Sequence, residues 1–347
     1  MFQSGRVPLL LIGCLLTACT SYTTRPIEDE SGQKVPGSVA SLERIRLGGV
    51  DQWILIRGKS ASHPLLLKIH GGPGQAEMAT VPFNRLLEDD FIVVEWDQRG
   101  AGKSRASIEP ERDVSLDQIV EDTNELAELL LKRLGQEKLI LVGHSWGSLV
   151  GLKAVQRRPE LYRAFVSTGQ IASYREGLKV GYRFLTEEVR KRGDSAALQD
   201  LTEIGEPPYV EGSKRAIYLE YLERFGAQWH SSAKFDRVGW MLSSIEYAWP
   251  EKLRFTSAAE RCFELLLPDL MATDLSVEVP EVAVPVYFAA GRYDHLAPIE
   301  VSRAYFDRLV APSKKWIWFE ESAHFPQWEE PEKFHALLAE TVLPETR

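Results

Sequence analysis

The fold is decided by Lys138-Leu139-Ile140-Leu141-Val142, which runs directly into Gly143-His144-Ser145-Trp146-Gly147. The first five residues form a short apolar run typical of a buried strand, and the residues after Gly147 continue as an apolar helix. Glycines at a strand-to-helix junction permit a strained turn that holds the serine hydroxyl clear of the sheet. The G-x-S-x-G pattern alone is common, but in this context it makes Ser145 a candidate nucleophile.

Similar apolar runs recur on both sides of this segment, separated by Gly-rich or polar loops. Such runs are typical of strands covered on both faces, as in the parallel sheet of an α/β protein. Before them, two alternating segments flank Gly48-Gly49 and predict an antiparallel hairpin at the sheet edge. The predicted hairpin strands are 42–46 and 53–57, and the predicted buried strands are 65–69, 91–94, 138–142, 165–166, 284–288 and 315–319.

The clearest helix signal begins at Ser115, which with Gln118 has the spacing of a capping box. Apolar residues then recur at three- and four-residue steps until Gly135, a residue suited to end a helix. Residues 170–276 are rich in Tyr, Trp, Arg and Glu and have no buried-strand pattern, so they predict an inserted helical cap. The sheet domain is then formed by residues 38–169 and 277–347.

A serine hydroxyl is a poor nucleophile unless a base takes its proton and an acid orients that base. His324 follows the last predicted strand in a loop, where an imidazole can reach over the sheet edge. Asp294 follows the strand before it, which gives the order Ser, Asp, His along the chain. Asp269 and Asp274 are rivals by residue type, but neither follows a strand. We therefore predict His324 as the general base and Asp294 as its acid.

The segment His70-Gly71-Gly72-Pro73-Gly74 ends an earlier strand, where backbone N–H groups are needed to hold an oxyanion. We assign the oxyanion hole to the N–H groups of Gly72 and Trp146. A second loop, 97–104, ends in Gly-Lys-Ser but has Asp97 where a phosphate-binding loop requires glycine, so its predicted role is structural.

Other classes of protein are disfavoured by composition and motifs. The chain has 41 basic and 50 acidic residues, a formal charge of −9, and no dense basic run, so a nucleic-acid partner is not expected. Neither a His-Glu-x-x-His motif nor paired cysteines occur, so no metal or other cofactor is predicted.

The first residues read as an export signal. Arg6 precedes an apolar run that is too short to span a bilayer, and the run closes on Leu16-Thr17-Ala18-Cys19. This closing motif resembles the lipobox of bacterial lipoproteins. It predicts a signal peptide at 1–18, lipidation of Cys19 and a flexible tether at 19–37. The mature protein would then be anchored to a membrane of the cell envelope, and Thr20 favours the outer membrane. An ordinary secretory signal is the alternative. Cys262 is expected to be a buried apolar residue.

Together, 70–74, 97–104 and 143–148 resemble the signature blocks of the proline iminopeptidase branch of the α/β-hydrolases, and 291–294 and 322–324 resemble its acid and base blocks. The resemblance covers about 40–168 and 277–345. It implies a mostly parallel sheet flanked by helices, a Ser-Asp-His triad acting through an acyl-enzyme, and release of an N-terminal residue from peptides or aminoacyl amides. The alternatives are an esterase or amidase of small acyl substrates and, less favoured, a non-catalytic binding lipoprotein.

An aminopeptidase needs a carboxylate near the acyl site, because a buried unpaired substrate ammonium is costly. The predicted cap offers several glutamates, each of which is by default a solvated residue, and aromatic side chains that either wall a proline-sized pocket or form the cap's own core. The glutamates are Glu203, Glu206, Glu220, Glu223 and Glu246, and the aromatic residues are Tyr209, Tyr218, Tyr221, Trp229 and Trp240.

Overall fold

The computed structural model describes residues 23–108, 114–231 and 236–346. The predicted signal peptide and Cys19 lie outside these residues. In the described part of the chain, eight strands form one sheet in the order β1-β2-β4-β3-β5-β6-β7-β8. The strands are β1 Val39–Leu47, β2 Val50–Gly58, β3 Leu65–Ile69, β4 Ile92–Asp97, β5 Leu139–His144, β6 Tyr162–Thr168, β7 Val286–Gly291 and β8 Lys314–Phe319.

The predicted α/β fold is confirmed. Strands β1 and β2 pair antiparallel as an edge hairpin around Gly48-Gly49, β2 pairs antiparallel with β4, and the pairs from β4 to β8 are parallel. Successive residues of β3 point to opposite faces, so Leu67 packs into one apolar layer and Leu66 into another. Helices cover both layers, which is why these strands carry continuous apolar runs.

Helices connect the strands from β3 onward, and α11 to α13 follow β8. Their bounds are α1 Arg85–Asp90, α2 Leu116–Leu134, α3 Trp146–Arg157, α4 Tyr174–Arg192, α5 Ser195–Ile204, α6 Gly212–Arg224, α7 Arg237–Ser243, α8 Trp249–Ala272, α9 Leu275–Glu278, α10 Ile299–Arg308, α11 Pro326–Glu329, α12 Pro331–Ala336 and α13 Leu343–Glu345. Short 3-10 turns cover Met78–Asn84, Gly102–Ile108 and Pro159–Leu161, and a π-helical turn covers Leu337–Val342.

Helix α2 begins and ends as its sequence predicts. The Ser115 hydroxyl accepts a hydrogen bond from the backbone N–H of Gln118 at 3.1 Å, and Gly135 closes the helix with a φ of +64°. The Gln118 side chain donates to Asp122 at 2.8 Å. It therefore serves a buried carboxylate, and the reciprocal half of the capping box is not formed.

Helices α4 to α9 lie between β6 and β7, where the sequence predicts a helical insertion. The insertion has an apolar core of its own, in which Leu185, Leu201 and Leu222 are buried. Three of the aromatic residues considered for a substrate pocket, Tyr209, Tyr218 and Tyr221, belong to this core. They stabilise the insertion instead of walling a pocket.

The described part of the predicted flexible tether, residues 23–37, is anchored to the folded domain near its start. Thr24 and Ile27 are buried, and the Thr24 hydroxyl donates to Glu246 at 2.8 Å while accepting from Arg57 at 2.8 Å. A bridge between Glu28 and Lys34 adds local order. The polar composition suggested a solvated segment, and most of its side chains are exposed, but Thr24 and the Arg25 carbonyl are hydrogen-bonded to the folded domain.

The helices of the described residues include none with the length and apolar character needed to cross a membrane.

Candidate active site

Ser145 occupies a strained turn between β5 and α3. Its backbone has φ +52° and ψ −118°, and it is the only non-glycine residue with positive φ in the ranges the structure describes. Its N–H donates to the Thr168 carbonyl of β6 at 2.9 Å, which holds the turn against the sheet. Strain of this kind costs about 1–3 kcal/mol and concentrates at functional sites.

The two glycines of this turn are required by close packing. A Cβ on Gly143 would lie 2.4 Å from the Gly147 carbonyl oxygen, and a Cβ on Gly147 would lie 2.2 Å from the Ile69 carbonyl oxygen. Both distances are far shorter than van der Waals contact, so a side chain at Gly143 would push the start of α3 away from β5, and one at Gly147 would push the turn away from the end of β3. The G-x-S-x-G spacing therefore places Ser145 at the carboxyl edge of the sheet.

His324 and Asp294 meet beside this edge, each in the loop after its strand. The His324 Nδ1 lies 2.9 Å from an Asp294 carboxylate oxygen, and both side chains are buried. The other Asp294 oxygen accepts the N–H groups of Leu296 at 3.0 Å and Ala297 at 2.8 Å. A carboxylate can only accept, so Nδ1 carries the proton and Nε2 keeps its lone pair, as a general base requires.

Gly169 makes room for the His324 ring. A Cβ at this position would lie 2.6 Å from the ring Cε1 and 2.8 Å from Nδ1. The backbone N–H of His324 also donates to the Gln228 carbonyl of the insertion at 3.1 Å. The imidazole is therefore positioned by Asp294, by Gly169 and by a contact from the helical insertion.

Ser145 and His324 line one cavity of about 560 Å³. Gly72 lines it beside them, and helices α6 and α8 form the opposite wall. Within the described residues the Ser145 hydroxyl makes no hydrogen bond to the His324 ring. Catalytic contacts of this kind are often long before substrate binds.

The loop that carries Gly72 is fixed by a neutral histidine. The His70 Nδ1 donates to the Gly71 carbonyl at 2.8 Å, and its Nε2 accepts from the backbone N–H of Gln98 at 3.1 Å. Burial lowers the pKa of His70 to about 4, so the ring keeps this tautomer near neutral pH. A Cβ on Gly71 would lie 3.2 Å from the Ser145 Cβ, which shows how closely the loop approaches the serine.

Trp146 begins α3 and presents its backbone N–H at the helix N-terminus, where such groups lack helical partners. Its indole N–H donates to the Gln98 side chain at 3.0 Å, so Gln98 ties Trp146 to the His70 loop. The two predicted oxyanion donors, Gly72 and Trp146, therefore belong to segments that meet at Ser145.

His144 packs against the base. Its ring centroid lies 4.9 Å from that of His324, and its Nδ1 lies 3.0 Å from the Thr168 hydroxyl. Burial, followed by the proximity of His324, holds the pKa of His144 well below its usual range. His144 is buried and lines the cavity.

Comparison with known proteins gives the family. A probable aminopeptidase, YbaC, of Bacillus subtilis is 31% identical over 306 residues, which cover 87% of this chain and 96% of that protein. The chain belongs to the alpha/beta hydrolase family. The family model for the alpha/beta hydrolase fold matches residues 64–193. A proline iminopeptidase of Saccharolobus solfataricus is 22% identical over 306 residues, covering 86% of this chain and 90% of that protein.

The crystal structure of a proline iminopeptidase from Mycobacterium smegmatis has the same fold as this alpha/beta hydrolase. It superposes with a TM-score of 0.60 at 17% identity, covering 88% of this chain and 99% of that chain. At this identity the likeness concerns the fold alone.

The glutamates proposed as ammonium ligands of this hydrolase do not reach the cavity. Those on α5, α6 and their connection are exposed and absent from its lining, and Glu246 is buried elsewhere, bonded to Thr24 and Ser244. The lining instead includes Glu260 and Glu264 of α8. The overturned candidates are Glu203, Glu206, Glu220, Glu223 and Glu246.

Sequence reasoning missed the wall that α8 contributes. Thr256, Glu260 and Phe263 recur at four- and three-residue steps, so they share one face of the helix. That face is mixed in polarity and has no motif to mark it. Only the position of α8 above Ser145 identifies it.

The rival acids have other roles in this fold. Asp269 accepts the backbone N–H of Leu116 at 2.7 Å, and Asp274 caps α9 by accepting the N–H of Ser276 at 2.9 Å. In the loop that resembles a phosphate site, Asp97 accepts the N–H of Lys103 at 2.8 Å and the hydroxyl of Tyr247 at 2.7 Å. These contacts are structural.

No cluster of three potential His, Cys, Asp or Glu metal ligands occurs in the residues covered by the structure. Cys262 is fully buried under the Gly74 and Gly100 loops. Burial raises the pKa of its thiol to about 12, in keeping with the predicted apolar role.

Proposed function

We propose that this alpha/beta hydrolase is a serine hydrolase with Ser145 as nucleophile, His324 as general base and Asp294 as the orienting acid. The observation that carries the proposal is the buried His324–Asp294 pair, at 2.9 Å, lining one cavity with a serine in a strained turn. This combination supplies a nucleophile, a base in the required tautomer and space for substrate.

The proposed reaction proceeds through an acyl-enzyme. The Ser145 Oγ attacks the substrate carbonyl carbon while His324 Nε2 takes the hydroxyl proton. The oxyanion that forms is held by the N–H groups of Gly72 and Trp146, each worth about 3 kcal/mol of transition-state stabilisation. His324 then gives its proton to the leaving group, and the same base activates water to hydrolyse the Ser145 ester.

For the substrate we propose peptides or aminoacyl amides with a free N-terminus. Two features support this choice: the relatives named as an aminopeptidase and a proline iminopeptidase, and the carboxylates of Glu260 and Glu264 in the cavity wall. Glu264 lies 3.6 Å from Arg261, whereas Glu260 has no ion-pair partner within the described ranges. Arg215, the cationic neighbour in the same wall, stacks on Phe263 at 3.8 Å. Glu260 is thus the better candidate to pair with a substrate ammonium.

A substrate series tests this choice. Prolyl and alanyl naphthylamides are compared with the same compounds blocked at the amine, and Glu260→Gln is compared with Glu203→Gln, a matched change on an exposed residue remote from the cavity. We expect turnover of the free amines only, with KM raised about tenfold or more by Glu260→Gln and unchanged by Glu203→Gln. Equal turnover of blocked and free amides would refute the ammonium site.

The second candidate is an esterase or amidase of small acyl compounds. It is favoured by the apolar side chains in the cavity, including Ile171, Leu219 and Phe263, which suit an acyl chain. Efficient hydrolysis of p-nitrophenyl butyrate, with no preference for free amines, would select it.

For localisation we propose export, cleavage before Cys19 and lipid attachment at that residue, with the outer membrane favoured by Thr20. The support is the sequence Leu16-Thr17-Ala18-Cys19 after a short apolar run. Mass analysis of the mature N-terminus and detergent phase partitioning test it. Cys19→Ser is expected to move the protein to the aqueous phase with its activity retained, and a mature N-terminus beyond Cys19 would exclude lipidation.

A further inference from the structure

We propose that an exposed apolar surface on α7 and the first turns of α8 docks on a lipid bilayer. Of the nine large apolar side chains exposed among the described residues, five fall within one short stretch. Trp249 and Leu253 are 65% and 80% exposed. We call this surface the apolar patch, and it consists of Val238, Leu242, Ile245, Trp249 and Leu253. Clustering of this kind marks interaction surfaces, whereas single exposed apolar residues do not.

The five side chains lie on adjoining elements. Val238 and Leu242 share a face of α7, and Trp249 and Leu253 share a face of α8, because each pair is four residues apart. The two helices adjoin, since the Lys252 ammonium donates to the Leu242 carbonyl at 2.8 Å. Ile245 lies in the turn between them.

The chemistry of the patch suits a bilayer surface. The Lys252 ammonium lies 5.2 Å from the centre of the exposed Trp249 ring, which places an aromatic ring and a cation together as at membrane interfaces. The neighbouring groove, which Ile245 also lines, contains exposed side chains of both charges, including Arg85 and Asp89. We therefore expect docking to depend on apolar insertion more than on anionic lipid.

The described chain begins beside the patch. Thr24 is fixed by its hydrogen bonds to Glu246 and Arg57, and Glu246 is the residue after Ile245. Cys19 is five residues before Thr24, and five residues span at most about 18 Å. A lipid on Cys19 would therefore hold this face toward the membrane. This step rests on the proposed lipidation, whereas the exposure of the patch does not.

Docking would bring the cavity close to the membrane surface. Helix α8 continues from Trp249 and Leu253 to Thr256 and Glu260, which line the cavity. At 1.5 Å per residue, Thr256 and Glu260 lie about 10 and 16 Å along the helix from Trp249. Substrate would then enter near the bilayer interface.

The test measures the environment of single labelled sites in the full chain. A fluorophore is attached at Leu253→Cys and, as a matched control, at Val277→Cys; Val277 is also a large apolar residue, 75% exposed, and it lies outside the patch. The unsubstituted chain treated with the same dye provides the blank for native cysteines. Vesicles of phosphatidylcholine, with or without phosphatidylglycerol, carry brominated acyl chains as a quencher, and iodide is the aqueous quencher.

We expect vesicles to expose the Leu253 label to the brominated chains and to lower its quenching by iodide about fivefold or more, as for a side chain inserted 5–10 Å into the interface. The Val277 label should not change. Trp249→Ser combined with Leu253→Ser should lower partitioning of the unlabelled chain into vesicles at least about tenfold, with hydrolysis of soluble substrates unchanged.

Equal quenching of the two labels in vesicles would overturn the proposal. A Leu253 label that is shielded from iodide before vesicles are added would also overturn it. If the shielding persists on dilution, another segment of the chain covers the apolar patch. If the shielding is lost on dilution, a second copy of the chain covers it. The readout needs neither turnover nor lipidation. Its failure is therefore separate from failure of the proposed activity or anchor.

Discussion

Gly169→Ala tests how closely the position of His324 controls activity. The added Cβ would lie 2.6 Å from the ring Cε1 and 2.8 Å from Nδ1, so the ring must move by about 1 Å to reach ordinary contact. That movement weakens the 2.9 Å bond to Asp294 and turns Nε2 away from Ser145. A misplacement of about 1 Å at a catalytic group costs on the order of 10²-fold in rate.

The same substitution also strains the backbone, because Gly169 has a φ of +55°. Alanine in this left-handed backbone conformation costs about 1–2 kcal/mol of stability, and a control must separate that cost from the effect on His324. Gly135→Ala provides it, since Gly135 has a φ of +64° and nothing within 4 Å of an added Cβ. Both variants should lose the stability that backbone strain costs, with a further loss in Gly169→Ala from the clash with His324, and only Gly169→Ala should lose about 10²-fold in kcat/KM. A folded Gly169→Ala enzyme with nearly full activity would refute the positioning role of Gly169.

Two further predictions concern stability. Asp122→Ala should lower the free energy of unfolding by about 3–5 kcal/mol because it leaves the buried Arg99 unpaired. Asp117→Ala, a control on the same helix as Asp122, removes an exposed partner of Arg157 and should lower it by less than about 1 kcal/mol. Urea titrations measure both losses, and equal losses would contradict a stabilising role of the buried Arg99–Asp122 pair. Burial raises the pKa of Glu77 from 4.5 to about 7, so its contribution to stability is present below pH 4.5 and is lost as pH rises to about 7. The free energy of unfolding of Glu77→Gln, measured relative to that of the parent chain, should therefore rise by up to about 3 kcal/mol between pH 4.5 and about 7. If this difference in unfolding free energy stays constant with pH, the raised pKa of Glu77 is excluded.

The sheet was predictable because its strands are buried on both faces. The sequence predicts strand Leu65–Ile69 with its observed bounds. All five of its residues are buried, which is why the segment carries an almost continuous apolar run. Strand β4 was predicted to end at 94 but continues to Asp97. Glu95 and Asp97 are buried in hydrogen bonds to Lys68 and Tyr247, and polar residues satisfied in this way interrupt an apolar pattern without ending the strand.

The position of β7 shows the effect of a single residue. The apolar run was predicted to begin at 284, but the strand begins at Val286, after Pro285. Proline has no N–H to give to a ladder, and Pro285 instead accepts the Phe165 N–H through its carbonyl at 2.9 Å.

The part of the site on the sheet was predictable for the same reason as the fold. Ser145, Asp294 and His324 each follow a strand, and parallel strands deliver their loops to one edge. The residues of the insertion were not predictable, because helices without a motif are equally consistent with several orientations. Glu203 and Glu260 are both exposed acidic residues of amphipathic helices, yet only Glu260 lines the cavity.

The structure of residues 23–37 also depended on distant partners. Thr24 is ordered by Glu246 and Arg57, which are remote along the chain. A local polar composition carries no information about such contacts.

The central claim is that Ser145 is the nucleophile, and a fluorophosphonate probe followed by peptide mass mapping tests it most directly. The probe should add one phosphonyl group to the peptide containing Ser145, and hydrolytic activity should fall in step with labelling. Ser145→Ala should be folded, unlabelled and inactive, with the residual rate lowered by about 10⁴-fold or more. Labelling at any other residue, or undiminished turnover by Ser145→Ala, would contradict the proposed mechanism.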